Sequence, residues 1–186
     1  MVCVFYGHRE CGEEIVPSLE TVLKALIEEK GVDRFYVGTQ GGFDDAVYRT
    51  LKTMRRHYPH IEYKRVLAYL PTALEQGVKA EQVDTLIPAG IETRPPRYRI
   101  LYRNEWMLRQ ADYVVVYTVT SAGGAAKFAA LARKRGIPCI NLAENCDRTA
   151  GTQRRCENDV FTRADNLSKR ATAALRPLPG RHMQKR

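Results

Sequence analysis

With 186 residues, of which 44% are hydrophobic and 27% charged, the chain is long enough for one ordinary globular domain with an appendage. It has no apolar run of membrane-spanning length and no secretory signal, so we expect a cytoplasmic protein with no membrane partner. The five cysteines are an odd number without a CxxC pair, which argues against a disulfide framework and against a metal site.

The first predicted strand ends in a polar loop. Val2–Tyr6 is a run of β-branched and aromatic residues, which predicts a buried strand. Gly7, His8 and Arg9 follow at its carboxyl end, where parallel α/β sheets hold their ligands, so all three are candidate ligand-binding residues. Apolar residues at helical spacing over residues 15–27 then predict the first helix.

The second predicted strand, Arg34–Val37, leads into a glycine-rich loop and a helix over residues 43–58. This order is typical of a phosphate-binding loop, because glycine lets the backbone approach an anion closely. The same order also occurs in tight turns that bind nothing, and both interpretations stay open. Asp44 either caps the helix or accepts hydrogen bonds from a ribose. The candidate ligand-binding residues of this segment are Gly38, Gln40, Gly41, Gly42 and Asp44.

A third strand, Glu62–Ala68, precedes an unusually long connection at residues 69–97. Connections of this length in compact domains are either functional flaps or plain surface loops, and the sequence supports both interpretations equally. Tyr69 and Arg94 are the candidates to reach a site from it.

A helix, a buried strand and a second small-residue loop follow. Tyr98–Ala111 is a helix with Arg103 and Asn104 on or beside its apolar side, where they need either a structural partner or a ligand. Tyr113–Tyr117 shows no polar alternation, which predicts a strand buried on both faces. The loop after it and the next helix start present backbone N–H groups of the kind that bind phosphate. The candidate ligand-binding residues there are Thr120, Ser121, Gly123, Gly124, Ala125 and Lys127.

The end of the chain differs from the rest in composition. After a fifth predicted strand, Ile137–Leu142, residues 143–186 form a basic extension with a predicted amphipathic helix at about residues 159–175 and a disordered end. Residues 147–186 hold ten Lys or Arg and four Asp or Glu, which accounts for two-thirds of the net charge of +9. Such a tail aids solubility or contacts nucleic acid without reading its sequence.

The order of elements defines a fold class. The pattern β-α-β-α-β, a long connection, then α-β-α-β predicts an α/β protein with a parallel sheet of five or more strands and helices on both faces. If strands two and three lie on one side of strand one and strands four and five on the other, strands one and four are neighbours at a switch point. The loops after strands one, two and four then line one crevice.

Five segments of the sequence together resemble a known family. FYGHR, VGTQGGFD, RNEWM, QADYVVVY and SAGGAAKF, within about residues 2–142, resemble the SLOG group of Rossmann-like proteins. This group includes the lonely guy phosphoribohydrolases and DNA-processing protein A, and the chain is most similar to its small bacterial and phage members of unassigned function. The resemblance implies a Rossmann-like domain at residues 1–142 that holds a nucleotide or an ADP-ribose-like derivative in the crevice.

The resemblance carries over to catalysis only in part. The phosphoribohydrolases have an Arg-Lys-x-x-Met segment, which Arg103 and Met107 match, and a Pro-Gly-Gly-x-Gly-Thr-x-Glu-Glu segment. At the two glutamate positions this chain has Lys127 and Phe128, and a lysine suits a phosphate but cannot steady oxocarbenium-like charge. Asp44 or Asp45 could replace the missing carboxylate, so hydrolysis is reduced and not excluded. The candidate catalytic residues are Arg103 and Asp44.

The first functional hypothesis is therefore a binding module for a small phosphate-bearing nucleotide derivative, with no other cofactor and no metal. One alternative is a phosphoribohydrolase or N-glycosidic-bond transferase acting on a nucleoside monophosphate. The other is a DNA-associated protein that uses the basic tail. We also expect a homo-oligomer, since paired subunits are common in such folds and the tail helix offers a surface.

Overall fold

The structure is a computed structural model that describes residues 1–69 and 84–146. The described strands are β1 (Val2–Gly7), β2 (Arg34–Val37), β3 (Glu62–Val66), β4 (Thr85–Leu86), β5 (Tyr113–Tyr117) and β6 (Cys139–Asn141). The described helices are α1 (Val16–Glu28), α2 (Gly42–Met54), α3 (Pro96–Gln110), α4 (Gly124–Lys134) and α5 (Leu142–Cys146). None of these described helices is both long and apolar enough to cross a membrane.

The described strands form one parallel sheet in the order β4-β3-β2-β1-β5-β6. On one side β1 pairs with β5, from Cys3 opposite Tyr113 to Gly7 opposite Tyr117, and on the other side it pairs with β2. The chain therefore winds from β1 in both directions, and β1 and β5 are the neighbours at the switch point. This order confirms the predicted α/β class and the predicted winding of the sheet.

Alternate residues of the central strands pack against different helices. Phe5 and Phe35 belong to the core that includes α1 and α2, with 6.3 Å between their ring centroids. Tyr6 belongs to the core that includes α3 and α4, where its ring stacks on Phe128 at 4.8 Å between centroids. Full burial of an aromatic side chain such as Phe5 contributes about 2–3 kcal/mol. The sheet is thus covered on both faces, as parallel sheets require, and the ends of its strands are left to the loops.

The long connection and one edge of the sheet differ from the sequence prediction. Residues 69–97 are predicted as a loop, but β4 lies within them and α3 already begins at Pro96. β4 has only two residues, which pair with β3, so it is too short to show a periodic pattern. At the other edge, the predicted strand 137–142 is cut short because Leu142 begins α5.

Several predictions fall outside the described residues. These are the amphipathic helix at 159–175, the disordered end of the chain and any flap formed by residues 70–83. The division into a domain at residues 1–142 and an extension at residues 143–186 stays a prediction.

Candidate functional site

The loops after β1, β2 and β5 meet at the carboxyl end of the sheet. The backbone N–H of Gly42 donates a hydrogen bond of 2.7 Å to the carbonyl oxygen of Arg9, which joins the loop after β2 to the loop after β1. The backbone N–H of Val119 donates to His8 Nε2 at 3.2 Å, which joins the loop after β5 to the same segment. We call this cluster the three-loop site, and its segments are residues 7–9, 38–42 and 118–125.

Two glycines of the loop after β2 let other residues of the protein approach more closely than a side chain would allow. A Cβ atom on Gly38 would lie 2.3 Å from Asp44 Oδ2 and 3.0 Å from Arg103 Nη1. A Cβ atom on Gly41 would lie 2.6 Å from Arg9 Cα, and the Gly41 φ of 122° is open almost only to glycine. These glycines bring protein groups together, which favours a tight turn over a phosphate-binding loop at this position.

Asp44 and Arg103 are buried groups of opposite charge beside this loop. Asp44, in the first turn of α2, is 7% exposed, and its Oδ2 accepts a hydrogen bond of 2.9 Å from the backbone N–H of Gln40. Burial raises the pKa of Asp44, while the Gln40 N–H and the Arg103 guanidinium lower it to a smaller extent. The carboxylate therefore holds the loop that leads into α2, and little of it faces solvent.

Arg103 is 3% exposed, and its hydrogen bonds are mostly long. Its Nη1 donates to the carbonyl oxygen of Val66 at 3.4 Å and to Thr39 Oγ1 at 3.5 Å, and its Nε donates to Asn104 Oδ1 at 3.0 Å. Burial lowers the pKa of Arg103, and Asp44 raises it to a smaller extent. Because a guanidinium has five N–H donors, these contacts with described residues leave capacity for an anionic ligand.

Asn104, the neighbour of Arg103, ties α3 to β1. The Tyr6 hydroxyl donates a hydrogen bond of 2.9 Å to the Asn104 carbonyl oxygen. Because Tyr6 also stacks on Phe128, one turn into α4, the Arg103 segment and the start of α4 share a supporting residue. The structure thus brings the predicted Arg103 and Asn104 into the region of the three-loop site.

The two glycine loops differ in the space around their glycines. Protein atoms surround Gly38 and Gly41 in the loop after β2, whereas the glycines after β5 have no described atom nearby. Gly41 and Gly123 precede α2 and α4 in similar conformations, with φ of 122° and 96° and ψ of 171° and 179°. A Cβ atom added to Gly123 or Gly124 would meet no described atom within 4 Å. The first turn of α4 has no acidic residue and no side-chain cap, and Lys127 within it is exposed. This helix start is therefore accessible to a phosphate.

Asn141 holds the loop after β5 in place, and the sequence analysis does not predict it. Its Oδ1 accepts a hydrogen bond of 3.2 Å from the Thr118 N–H, and its Nδ2 donates to the Thr118 carbonyl oxygen at 3.0 Å. Thr118 Oγ1 then donates to the Thr120 carbonyl oxygen at 2.6 Å, which tightens the turn. A polar residue at the carboxyl end of a strand is the sequence signal that could have identified Asn141.

The other predicted residues of the loop after β5 differ in their exposure to solvent. Thr120 and Ser121 are exposed and line a pocket of about 440 Å³ between this loop, α4 and the start of α5. The lining of that pocket includes neither the loop after β1 nor the loop after β2. Ala125 is 8% exposed, so it offers a ligand its backbone N–H and not its side chain.

Tyr69 and Arg94, the candidates from the long connection, contact α3. The Tyr69 hydroxyl donates a hydrogen bond of 3.2 Å to the Pro96 carbonyl oxygen. The Arg94 guanidinium carbon lies 4.8 Å from the centroid of the Tyr102 ring. Both side chains therefore belong to the surface around the start of α3, and neither of these contacts involves the three-loop site.

The fold and this loop layout define a doubly wound, Rossmann-like α/β protein. Comparison with solved structures supports that class. One similar structure is DNA processing protein A from Helicobacter pylori, described for its single-stranded DNA binding mode, with 14% sequence identity and a TM-score of 0.56 over 91% of this chain and 81% of that chain. At this identity the likeness shows the fold alone. No family model and no curated protein matches the sequence.

Proposed function

We propose that the three-loop site binds a small phosphate-bearing nucleotide derivative. The observation that carries this proposal is the open space at Gly123 and Gly124, where the uncapped start of α4 can accept a phosphate. Lys127 adds a positive charge in the same helical turn. Arg9 is exposed, and its guanidinium has no hydrogen-bond or ion-pair partner among the described residues, so it is a second available cation.

The burial of Arg103 supports the same proposal. Its charge is removed from water, and the nearby Asp44 is itself a buried group whose charged form burial disfavours. A buried cation that is weakly hydrogen-bonded raises the free energy of the unliganded protein. A bound anion would offset part of that cost, which would couple ligand binding to the stability of this end of the sheet.

We further infer that the chain is a SLOG-like protein that holds its ligand without hydrolysing it. Lys127 stands where the phosphoribohydrolases have a glutamate. Two candidate acids remain. Asp44 is 7% exposed and accepts the Gln40 N–H. Asp45 forms an ion pair with Arg65 at 3.1 Å. Carboxylates engaged in this way are poorly placed to activate water at a sugar carbon.

Isothermal titration calorimetry of the full chain tests the proposal. The panel consists of ribonucleoside monophosphates, cyclic mononucleotides, dinucleotides and ADP-ribose. We expect at least one member to bind with a dissociation constant in the micromolar range. The corresponding nucleoside without phosphate is expected to bind about tenfold more weakly or worse, because charge-assisted hydrogen bonds to phosphate are lost.

Gly124→Asp and Gly124→Asn form a matched pair for the same titration. Both side chains extend into open space, so both variants are expected to keep the fold. Only the aspartate places a negative charge at the phosphate position, and it should weaken binding about tenfold relative to the asparagine variant. Equal binding by the two variants contradicts the proposed site, and the absence of micromolar binding by the wild-type chain contradicts the function.

A second candidate function is association with single-stranded nucleic acid. It is favoured by the structural similarity to the Helicobacter pylori protein, which is described as binding single-stranded DNA. The sequence analysis places such contacts in the basic tail at residues 147–186. Its test is fluorescence anisotropy of the full chain with labelled oligothymidylate at low salt, where such binding is strongest, and a flat titration contradicts it.

A further inference from the structure

Helix α3 and the residues just before it concentrate positive charge within residues 1–146. Residues 94–109 contain five Arg and one Glu, a surplus of four positive charges. Residues 1–146 together contain 20 Lys or Arg and 17 Asp or Glu, a surplus of only three. The rest of residues 1–146 therefore carries no net positive charge. The basic character of the domain is a property of one segment.

Tyrosine rings are interleaved with these arginines. The guanidinium carbons of Arg94 and Arg109 lie 4.8 and 5.9 Å from the centroid of the Tyr102 ring. The Arg97 guanidinium carbon lies 4.7 Å from the centroid of the Tyr98 ring. We call this set, together with the Tyr69 side chain that contacts Pro96, the Arg-Tyr surface. Its members are Tyr69, Arg94, Arg97, Tyr98, Tyr102 and Arg109.

The charges and rings of this surface are available to a partner. Tyr98 is 47% exposed and Tyr69 is 42% exposed, which is high for residues with such large apolar area. Arg94, Arg97 and Arg109 are exposed, and none of them pairs with a carboxylate among the described residues. The surface thus offers three unneutralised guanidinium groups next to aromatic faces.

This combination distinguishes between classes of anionic partner. An acidic side chain or a lipid headgroup matches the positive charge but carries no planar ring that could stack on a tyrosine. In duplex DNA the faces of the bases are stacked on one another and are closed to side chains. Single-stranded nucleic acid presents both a phosphate backbone for arginine and open base faces for tyrosine and guanidinium stacking.

We infer that the Arg-Tyr surface is a binding surface for single-stranded nucleic acid. The inference rests on the second candidate function and assigns its contacts to α3 in addition to the tail. Arg97, Arg94 and Arg109 contact phosphates, and Tyr98 and Tyr69 stack on bases. The arginines of this surface are exposed, whereas Arg103 lies on the buried side of the same helix.

Charge-matched triple variants of the full chain test the surface. One variant is Arg94→Gln, Arg97→Gln and Arg109→Gln, and its control, Arg176→Gln, Arg181→Gln and Arg186→Gln, removes three charges from the tail. Anisotropy titrations use labelled oligothymidylate and oligouridylate of about 20 nucleotides over a range of salt concentrations. The α3 variant is expected to reduce the slope of log affinity against log salt by roughly 2, and the tail variant should reduce it less.

Substitutions of Tyr98 separate stacking from charge. Tyr98→Ala is expected to weaken binding about tenfold at every salt concentration, because one base loses its stacking partner. Tyr98→Phe keeps the ring and should remain within about twofold of the wild-type chain. Thermal unfolding of each variant establishes that the helix is intact.

The possible results answer two questions separately. One is whether the chain binds single-stranded nucleic acid, and the other is whether it does so through the Arg-Tyr surface. No oligonucleotide binding by the wild-type chain contradicts the second candidate function, and the surface with it. Binding whose salt slope is unchanged in the α3 variant, or whose affinity is unchanged in Tyr98→Ala, contradicts the surface and leaves the function standing. Tighter binding of one oligonucleotide identifies DNA or RNA as the source of the single strand.

Discussion

Gly41→Ala is expected to lower the free energy of unfolding by about 3 kcal/mol. The residue has φ of 122° and ψ of 171°, a region that a side chain almost excludes. The new Cβ atom would also lie 2.6 Å from Arg9 Cα, which is a backbone atom and cannot rotate away. Relief requires the loops after β1 and β2 to separate, and this breaks the hydrogen bond from Gly42 to Arg9. Urea unfolding measures the change.

Gly124→Ala is the control for that measurement. It is also a glycine at the start of a helix that follows a strand, but its Cβ atom would meet no described atom within 4 Å. Alanine at this position is expected to leave the stability unchanged or to raise it by up to about 1 kcal/mol, because alanine favours helix. A loss of less than about 1 kcal/mol in Gly41→Ala would contradict the close approach of the two loops.

The layers of this fold can be predicted from local patterns. Runs such as Val2–Tyr6 and Tyr113–Tyr117 have no polar alternation because both of their faces are buried, and this burial is visible in the sequence. The winding from β1 follows from connection rules, and the pairing of β1 with β5 confirms it. β4 could not be predicted, because two residues carry no period and their pairing depends on β3.

The candidate site could be predicted only as a set of segments. Gly41 and Gly123 look equivalent in the sequence and have similar dihedral angles, yet one faces Arg9 and the other faces open space. That difference depends on how far the loop after β1 extends, which no local pattern encodes. The same reason explains Asn141, whose role depends on its neighbour in space, Thr118. Ligand binding, oligomerisation and the role of the tail stay predictions.

Arg103→Met tests whether the opposite charges of Asp44 and Arg103 stabilise each other in the folded protein. Both groups are buried, and for each of them burial disfavours the charged form more than the other group favours it. Arg103→Met keeps much of the apolar volume but leaves Asp44 without its nearby cation. We expect a loss of about 3 kcal/mol in the free energy of unfolding at neutral pH, as for other buried pairs that lose one partner.

The double variant Asp44→Asn, Arg103→Met tests the cause of that loss. Asparagine can still accept the Gln40 N–H through its side-chain oxygen, and it carries no charge. The double variant is therefore expected to be more stable than Arg103→Met alone, with a coupling of about 1–2 kcal/mol in the double-mutant cycle. Additive losses would show that Arg103 acts only through its own packing.

The pH dependence of the stability of Arg103→Met tests independently whether the Asp44 charge causes the loss. The pKa of Asp44 is already raised in the folded protein, and loss of the guanidinium raises it further. A carboxyl group with a raised folded-state pKa contributes stability that is full below its unfolded pKa of about 3.9 and is lost as the pH rises through the folded pKa. The deficit of Arg103→Met relative to the wild-type chain should therefore shrink as the pH falls from neutral towards about 4. A deficit that is constant over this range, measured by urea unfolding, would show that the Asp44 charge is not its cause.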